Sequence, residues 1–122
     1  MHKLVTIDDE PEFVDFIESY FELRGFEVHK AHNGEAGLKV IDRVKPDIVL
    51  LDYKMPGMNG AQVLTAIKVM NASLPVIMIT ASEGLGETRQ KLSDIGAYAT
   101  FDKPISSLKD LENTIKEALN HE

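Results

Sequence analysis

The sequence predicts an α/β fold of five strand–helix pairs wound on both faces of a parallel sheet. Three observations predict it. Apolar runs of strand length alternate five times with segments of helical period along 122 residues. The connections between them are short, so successive strands run parallel and the helices cross over the sheet. Three of the five strand runs are apolar throughout, as strands covered on both faces must be.

Each element has its own local reasons. Lys3–Ile7 is a short apolar run. Pro11–Arg24 carries Phe13, Phe16/Ile17, Tyr20 and Leu23 at helical spacing, with Pro11 suited to a first turn and Gly25 to the residue just past the end. Phe26–Ala31 alternates as a half-covered strand does. Gly34–Val44 puts Gly37, Val40/Ile41 and Val44 on one helix face, and Pro46 stops it. Ile48–Leu51 is a continuous apolar run. Gly60–Met70 carries Val63/Leu64, Ile67 and Met70, with Asn59 as its N-cap. Pro75–Thr80 is the fourth strand. Glu83–Ile95 places Thr88, Leu92 and Ile95 together, with Ser82 as cap and Gly96 as terminator; Gly84 and Gly86 weaken its start. Tyr98–Asp102 alternates loosely. Ser107–Leu119 closes the chain with Leu108, Leu111, Ile115 and Leu119 in register, and Ser107 with Asp110 as a capping pair.

Strand texture predicts the order. "LVTI", "IVLL" and "VIMIT" are apolar and belong inside the sheet; "FEVHKA" and "YATFD" are mixed and belong at its edges. The order 2-1-3-4-5, the flavodoxin-like doubly wound arrangement, follows. The length fits one domain, residues 1–122, large enough for a sizeable core.

Composition excludes several functions. A net charge of −7 without a basic block argues against a nucleic-acid surface. The absence of Cys excludes thiol catalysis and disulfides, which suits a reducing compartment. "MHKLVTIDDE" is too short and acidic for a signal peptide, and no apolar run approaches the roughly 18 residues that span a bilayer. A cytoplasmic protein that binds no membrane is expected.

In a sheet of this order, ligands bind beyond the carboxyl ends of the strands, at the switch point between the first and third. Asp8 and Asp9 follow the first strand. Asp52 ends the third, Thr80 the fourth and Lys103 the fifth. Taken singly, the acids read as helix-start residues, Thr80 as a cap partner and Lys103 as a solvated amine. Together they do not. Three neighbouring carboxylates repel and raise one another's pKa, unless a cation sits among them. Hard oxygen ligands point to Mg²⁺ with retained waters.

At these positions the chain resembles the response-regulator receiver domain of two-component signalling. The matching pieces are "TIDDEP", "LLDYKMPGMNG", "MITAS" and "FDKPI", spread over essentially the whole chain. The resemblance implies that Asp52 takes a phosphoryl group from a phosphohistidine on a histidine kinase or histidine phosphotransfer protein. It implies that Asp9, Asp52 and the backbone carbonyl of Lys54 hold Mg²⁺, with Asp8 acting partly through water. Lys103 would pair with Asp52 and then with the phosphoryl group, and Thr80 would swing to bond it. That motion would shift the fourth helix and fifth strand between two packings and so signal to a downstream effector protein. Ala81 is part of the matching segment, and the Lys103–Pro104 bond would be cis.

The chain departs from the family at one switch position. The family carries an aromatic residue three positions before the Lys; here that position is Thr100, and Phe101 stands one later. Successive strand residues face opposite sides, so Phe101 cannot replace the ring and reads as core. Output is therefore expected to rely on the loop Ser82–Glu87. Lys54 and Ser82 stand two residues after Asp52 and Thr80, where the family's hydrolytic water passes, so a long-lived phosphorylated state is expected. "DYKMPGMNG" with "TFDKP" resembles, more narrowly, single-domain phosphorelay regulators of sporulating bacteria.

Rival functions fit less well. A small Mg²⁺-dependent phosphatase with an Asp nucleophile carries a second Asp two residues on, where Lys54 stands. A non-phosphorylated docking module would lack an acceptor or a metal ligand, and none is missing. A flavin-binding protein needs a phosphate cradle after the first strand, where "DDEPE" has the wrong charge. His2, His29, His32 and His121 form no ligand set, and Met55 and Met58 read as loop packing.

Overall fold

The structure, a computed structural model, describes residues 1–81 and 86–120. Strands and helices alternate: β1 (Lys3–Ile7), α1 (Pro11–Glu22), β2 (Glu27–Ala31), α2 (Gly34–Val44), β3 (Ile48–Asp52), α3 (Gly60–Met70), β4 (Val76–Ala81), α4 (Gly86–Ile95), β5 (Ala99–Lys103) and α5 (Leu108–Asn120). All the ladders are parallel and the order is β2-β1-β3-β4-β5, as strand texture predicts. β1 therefore lies between β2 and β3, and the switch point opens between β1 and β3.

Alternation along the inner strands builds two cores. Val49 and Leu51 of β3, with Val76 and Met78 of β4, face Leu64, Ile67 and Leu92. Ile48 and Leu50, with Ile77 and Ile79, face Ile17, Phe21, Leu111 and Ile115. So α2, α3 and α4 cover one face, and α1 and α5 the other. Each fully buried side chain of this size stabilises by about 1.5–3 kcal/mol relative to exposure. Phe101 packs, half-buried, against the α1–α5 core, as expected for a ring on that face of β5. Met55 is buried in the opposite core and Met58 packs against it.

Local chemistry sets the boundaries. Asn59 and Gln62 form the capping box of α3: each side chain accepts from the other's N–H, at 3.0 and 2.9 Å. Ser107 accepts from the N–H of Asp110 at 3.1 Å. α1 stops at Glu22 rather than Arg24, because Arg24 and Gly25 donate to Phe21 and Glu22 in a tightened last turn. Phe26 donates to Phe21 as well, so it closes that turn instead of opening β2, and Gly25 supplies the positive φ of 87°. The expected start of the fourth helix at Glu83 and its Ser82 cap lie outside the described residues. No helix among the described residues is long and apolar enough to cross a membrane.

One buried charge joins the two helices on the α1–α5 face. Glu112 of α5 is 3% exposed. Its carboxylate accepts from Tyr20 at 3.0 Å, Arg24 at 3.1 Å and Lys116 at 3.0 Å, with Lys109 at 3.7 Å. Burial alone would raise its pKa; the donors from Lys116, Tyr20 and Arg24 outweigh burial and hold the carboxyl at about 2. A depressed acid stabilises the fold above its ordinary pKa and loses that contribution as pH falls through the folded value. Glu112→Gln is therefore expected to destabilise the chain by about 1.5–3 kcal/mol at neutral pH. In urea titrations, its gap from wild type should close as pH falls from 4.5 toward 2.

Candidate functional site

The carboxyl ends of β1, β3, β4 and β5 meet at one rim. Asp8 directly follows β1. Its N–H donates to Ala31 at 3.0 Å, which carries the chain past β2, and its Oδ1 accepts from the N–H of Glu10 at 2.9 Å. Asp52 is the last residue of β3, paired in register with Ile79. Thr80 stands next on β4 beside Asp102, and Ala81 pairs with Lys103 at the end of β5.

The turn after Asp52 is built on close backbone approach. Gly57 takes a φ of 80°, open to glycine. Gly60 donates its N–H to the Tyr53 carbonyl at 2.7 Å. A Cβ at Gly60 would lie 2.6 Å from Tyr53 Cα and 2.9 Å from the Asp52 carbonyl oxygen. Only glycine lets α3 start this close to the strand that ends in Asp52.

Carboxylate oxygens of Asp8, Asp9 and Asp52 lie within 4.8 Å of one another. Asp8 and Asp52 are buried and Asp9 is exposed. Burial, then the neighbouring charge of Asp8, pushes Asp52 up to about 6, against the opposing pull of Lys103. Burial likewise raises Asp8, against the bonds from Lys103 and from the Glu10 N–H. The backbone N–H of Lys54 acts on the Asp52 carboxyl in the same downward direction as Lys103. The donor set is all oxygen, which suits a hard cation such as Mg²⁺ rather than zinc, whose sites favour nitrogen and sulfur.

The Lys103 ammonium reaches Asp8 at 2.7 Å and Glu10 at 2.6 Å; Asp52 lies at 3.7 Å. Its nearest partners are therefore not the residue that the resemblance pairs it with. Burial disfavours the ammonium, but the bonds to Asp8 and Glu10 prevail and its pKa is raised. The Phe13 ring stands 4.6 Å from the same nitrogen. Glu10 and Phe13 are the site residues that sequence reasoning passes over. Both come from the start of α1, and the contact between Glu10 and Lys103 spans 93 positions.

Thr80 is fully buried, and its Oγ1 is the one buried side-chain polar atom without a partner among the described residues. An orphaned buried hydroxyl is unfavourable, so its presence beside the cluster calls for a reason. The Lys54 side chain is exposed. Thr100 pairs with Met78, and its carbonyl accepts from Arg89 at 3.4 Å, while Arg89 also pairs with Asp102. The Lys103–Pro104 bond is cis. Ser82 and the loop expected to carry output fall largely outside the described residues.

The family model for the response regulator receiver domain matches residues 4–116. The chain belongs to the response regulator receiver domain family. Receiver domains are signalling switches of two-component systems. Among curated proteins, the chain is 31% identical over 117 residues to sporulation initiation phosphotransferase F of Bacillus subtilis, covering 96% of this chain and 93% of that protein. It spans a quarter to about half of the length of other curated relatives it matches. Among solved structures, a response regulator receiver domain protein from Clostridium thermocellum superposes with a TM-score of 0.93 at 29% identity, over 99% of this chain and 96% of that one. Response regulator protein TrrA of Thermotoga maritima, solved in complex with Mg(2+)-BeF, superposes with a TM-score of 0.86 at 28% identity, over 97% of this chain and 99% of that one.

Proposed function

We propose that this receiver domain accepts a phosphoryl group on Asp52 from a phosphohistidine of a histidine kinase or histidine phosphotransfer protein. What carries the reading is Asp52 itself: a carboxylate 5% exposed, set between two further acids and an ammonium. An Asp52 oxygen attacks the phosphorus, the phosphorus–nitrogen bond breaks, and the imidazole departs with the electron pair and takes a proton. Asp8, Asp9 and Asp52, with the Lys54 carbonyl, would hold Mg²⁺, which offsets the repulsion between two anions. Lys103 places positive charge where the phosphoryl oxygens arrive. The orphaned Thr80 hydroxyl is a donor ready for one of them.

Incubation with acetyl phosphate and Mg²⁺, followed by intact mass measurement, tests this. One added phosphoryl group is expected, absent without Mg²⁺ and absent in Asp52→Asn. No gain in mass, or a gain that survives Asp52→Asn, would overturn the reading.

The phosphorylated state is expected to be long-lived, because the cationic side chain of Lys54 stands two residues from the acyl phosphate where water must approach. Lys54→Ala should shorten the phosphoryl half-life severalfold once donor is removed. An unchanged half-life would refute that role.

A further inference from the structure

We propose that Glu10 is a positioning residue that competes for Lys103: at rest it holds the ammonium back from Asp52, and phosphorylation frees it. The inference rests on Asp52 being the phosphoryl acceptor. An ammonium has three donors. Two of them are within bonding reach of Asp8, at 2.7 Å, and Glu10, at 2.6 Å. Asp52, at 3.7 Å, is beyond hydrogen-bond distance. Asp8 belongs to the oxygen cluster and is shared with it; Glu10 does not. Its one described side-chain partner is Lys103.

The local sequence makes this choice conspicuous. Glu10 occupies the N-cap position of α1, yet its side chain makes no capping bond. Ser, Thr, Asp or Asn would cap that helix better. A residue that gives up its helix's cap to reach a cation 93 positions away is placed for that cation. Phe13, one turn further along α1, lies against the same nitrogen. The first turn of α1 thus supplies both an anion and a ring to Lys103. A phosphoryl group at Asp52 brings about two negative charges and several acceptor oxygens. It outbids an exposed carboxylate for the ammonium, and the α1 turn loses its tether. Phosphorylation is then read at the start of α1 as well as at β5.

Rates of phosphoryl uptake from acetyl phosphate with Mg²⁺, followed by intact mass, test this in wild type, Glu10→Gln and Glu12→Gln. Glu12 is an exposed acid of the same turn. Glu10→Gln should raise the uptake rate about two- to fivefold, the scale of one exposed ion pair. Glu12→Gln, which removes the same charge from the same turn, should leave it unchanged. The side-chain ammonium signal of Lys103 in NMR should move in Glu10→Gln before any phosphorylation. Equal rates in wild type and Glu10→Gln, or equal acceleration by both variants, would overturn the proposal alone. No uptake by the wild type would overturn the acceptor reading and this proposal with it.

Discussion

Gly60→Ala is expected to lower the melting temperature by about 5–15 °C and to weaken phosphoryl uptake with it. The added Cβ meets backbone: Tyr53 Cα at 2.6 Å and the Asp52 carbonyl oxygen at 2.9 Å. A flexible side chain could move aside, but these atoms belong to the turn that presents Asp52. Overpacking of this kind costs about 1–3 kcal/mol or more. Alanine's gain over glycine within a helix, about 1 kcal/mol, acts in the opposite direction and is smaller. Either α3 moves outward or the end of β3 shifts. Either change disturbs the turn that follows Asp52, and a reacting group works only within about 0.5 Å of its productive position. Thermal unfolding and acetyl phosphate uptake measured together check this. An unchanged melting temperature would show that the approach of α3 is not limiting.

Thr80→Val is expected to act with the opposite sign on stability. The Thr80 hydroxyl is buried without a partner among the described residues. Such a group costs about 1–3 kcal/mol by mutational measures. Valine keeps the shape and removes the orphan, so the melting temperature of the resting chain should rise by about 3–10 °C. The same substitution removes the donor proposed for the phosphoryl group. Phosphoryl uptake should persist, while phosphorylation-dependent shifts in the β5 amide resonances should shrink. The resting fold thus holds back some stability at the position proposed to bond the phosphoryl group. A lower melting temperature for Thr80→Val would mean that the hydroxyl does have a partner at rest.

Most of the fold is legible in the sequence because its signals are local. Apolar continuity against alternation separates β1, β3 and β4 from the edges β2 and β5, and the sheet order follows from it. Asn59 and Ser107 mark helix starts by chemistry that spans three residues. The clustering of Asp8, Asp9 and Asp52 follows from topology alone, since every strand end meets the same rim.

What escapes the sequence is long-range and specific. Glu112 sits beside Leu111 on the buried face of α5, where a charge contradicts the helical pattern. Its burial depends on Tyr20 and Arg24, 92 and 88 positions away. Glu10 reads as one more acid in "TIDDEP" until Lys103 is seen beside it. The expected pairing of Lys103 with Asp52 is looser than the resemblance implies, because two other carboxylates lie closer. Gly60 reads as an ordinary helix-start residue, and only the folded chain presses backbone against it.

The central claim is that one carboxylate, Asp52, becomes the acyl phosphate. The most direct measurement is chemical mapping. The chain is treated with acetyl phosphate and Mg²⁺, reduced with borohydride, digested and sequenced by mass spectrometry. An acyl phosphate is reduced to the alcohol, so homoserine should appear at position 52 and at no other aspartate. Homoserine at Asp8 or Asp9, or a stable phosphate on a serine, threonine or histidine with Asp52 unmodified, would contradict the account.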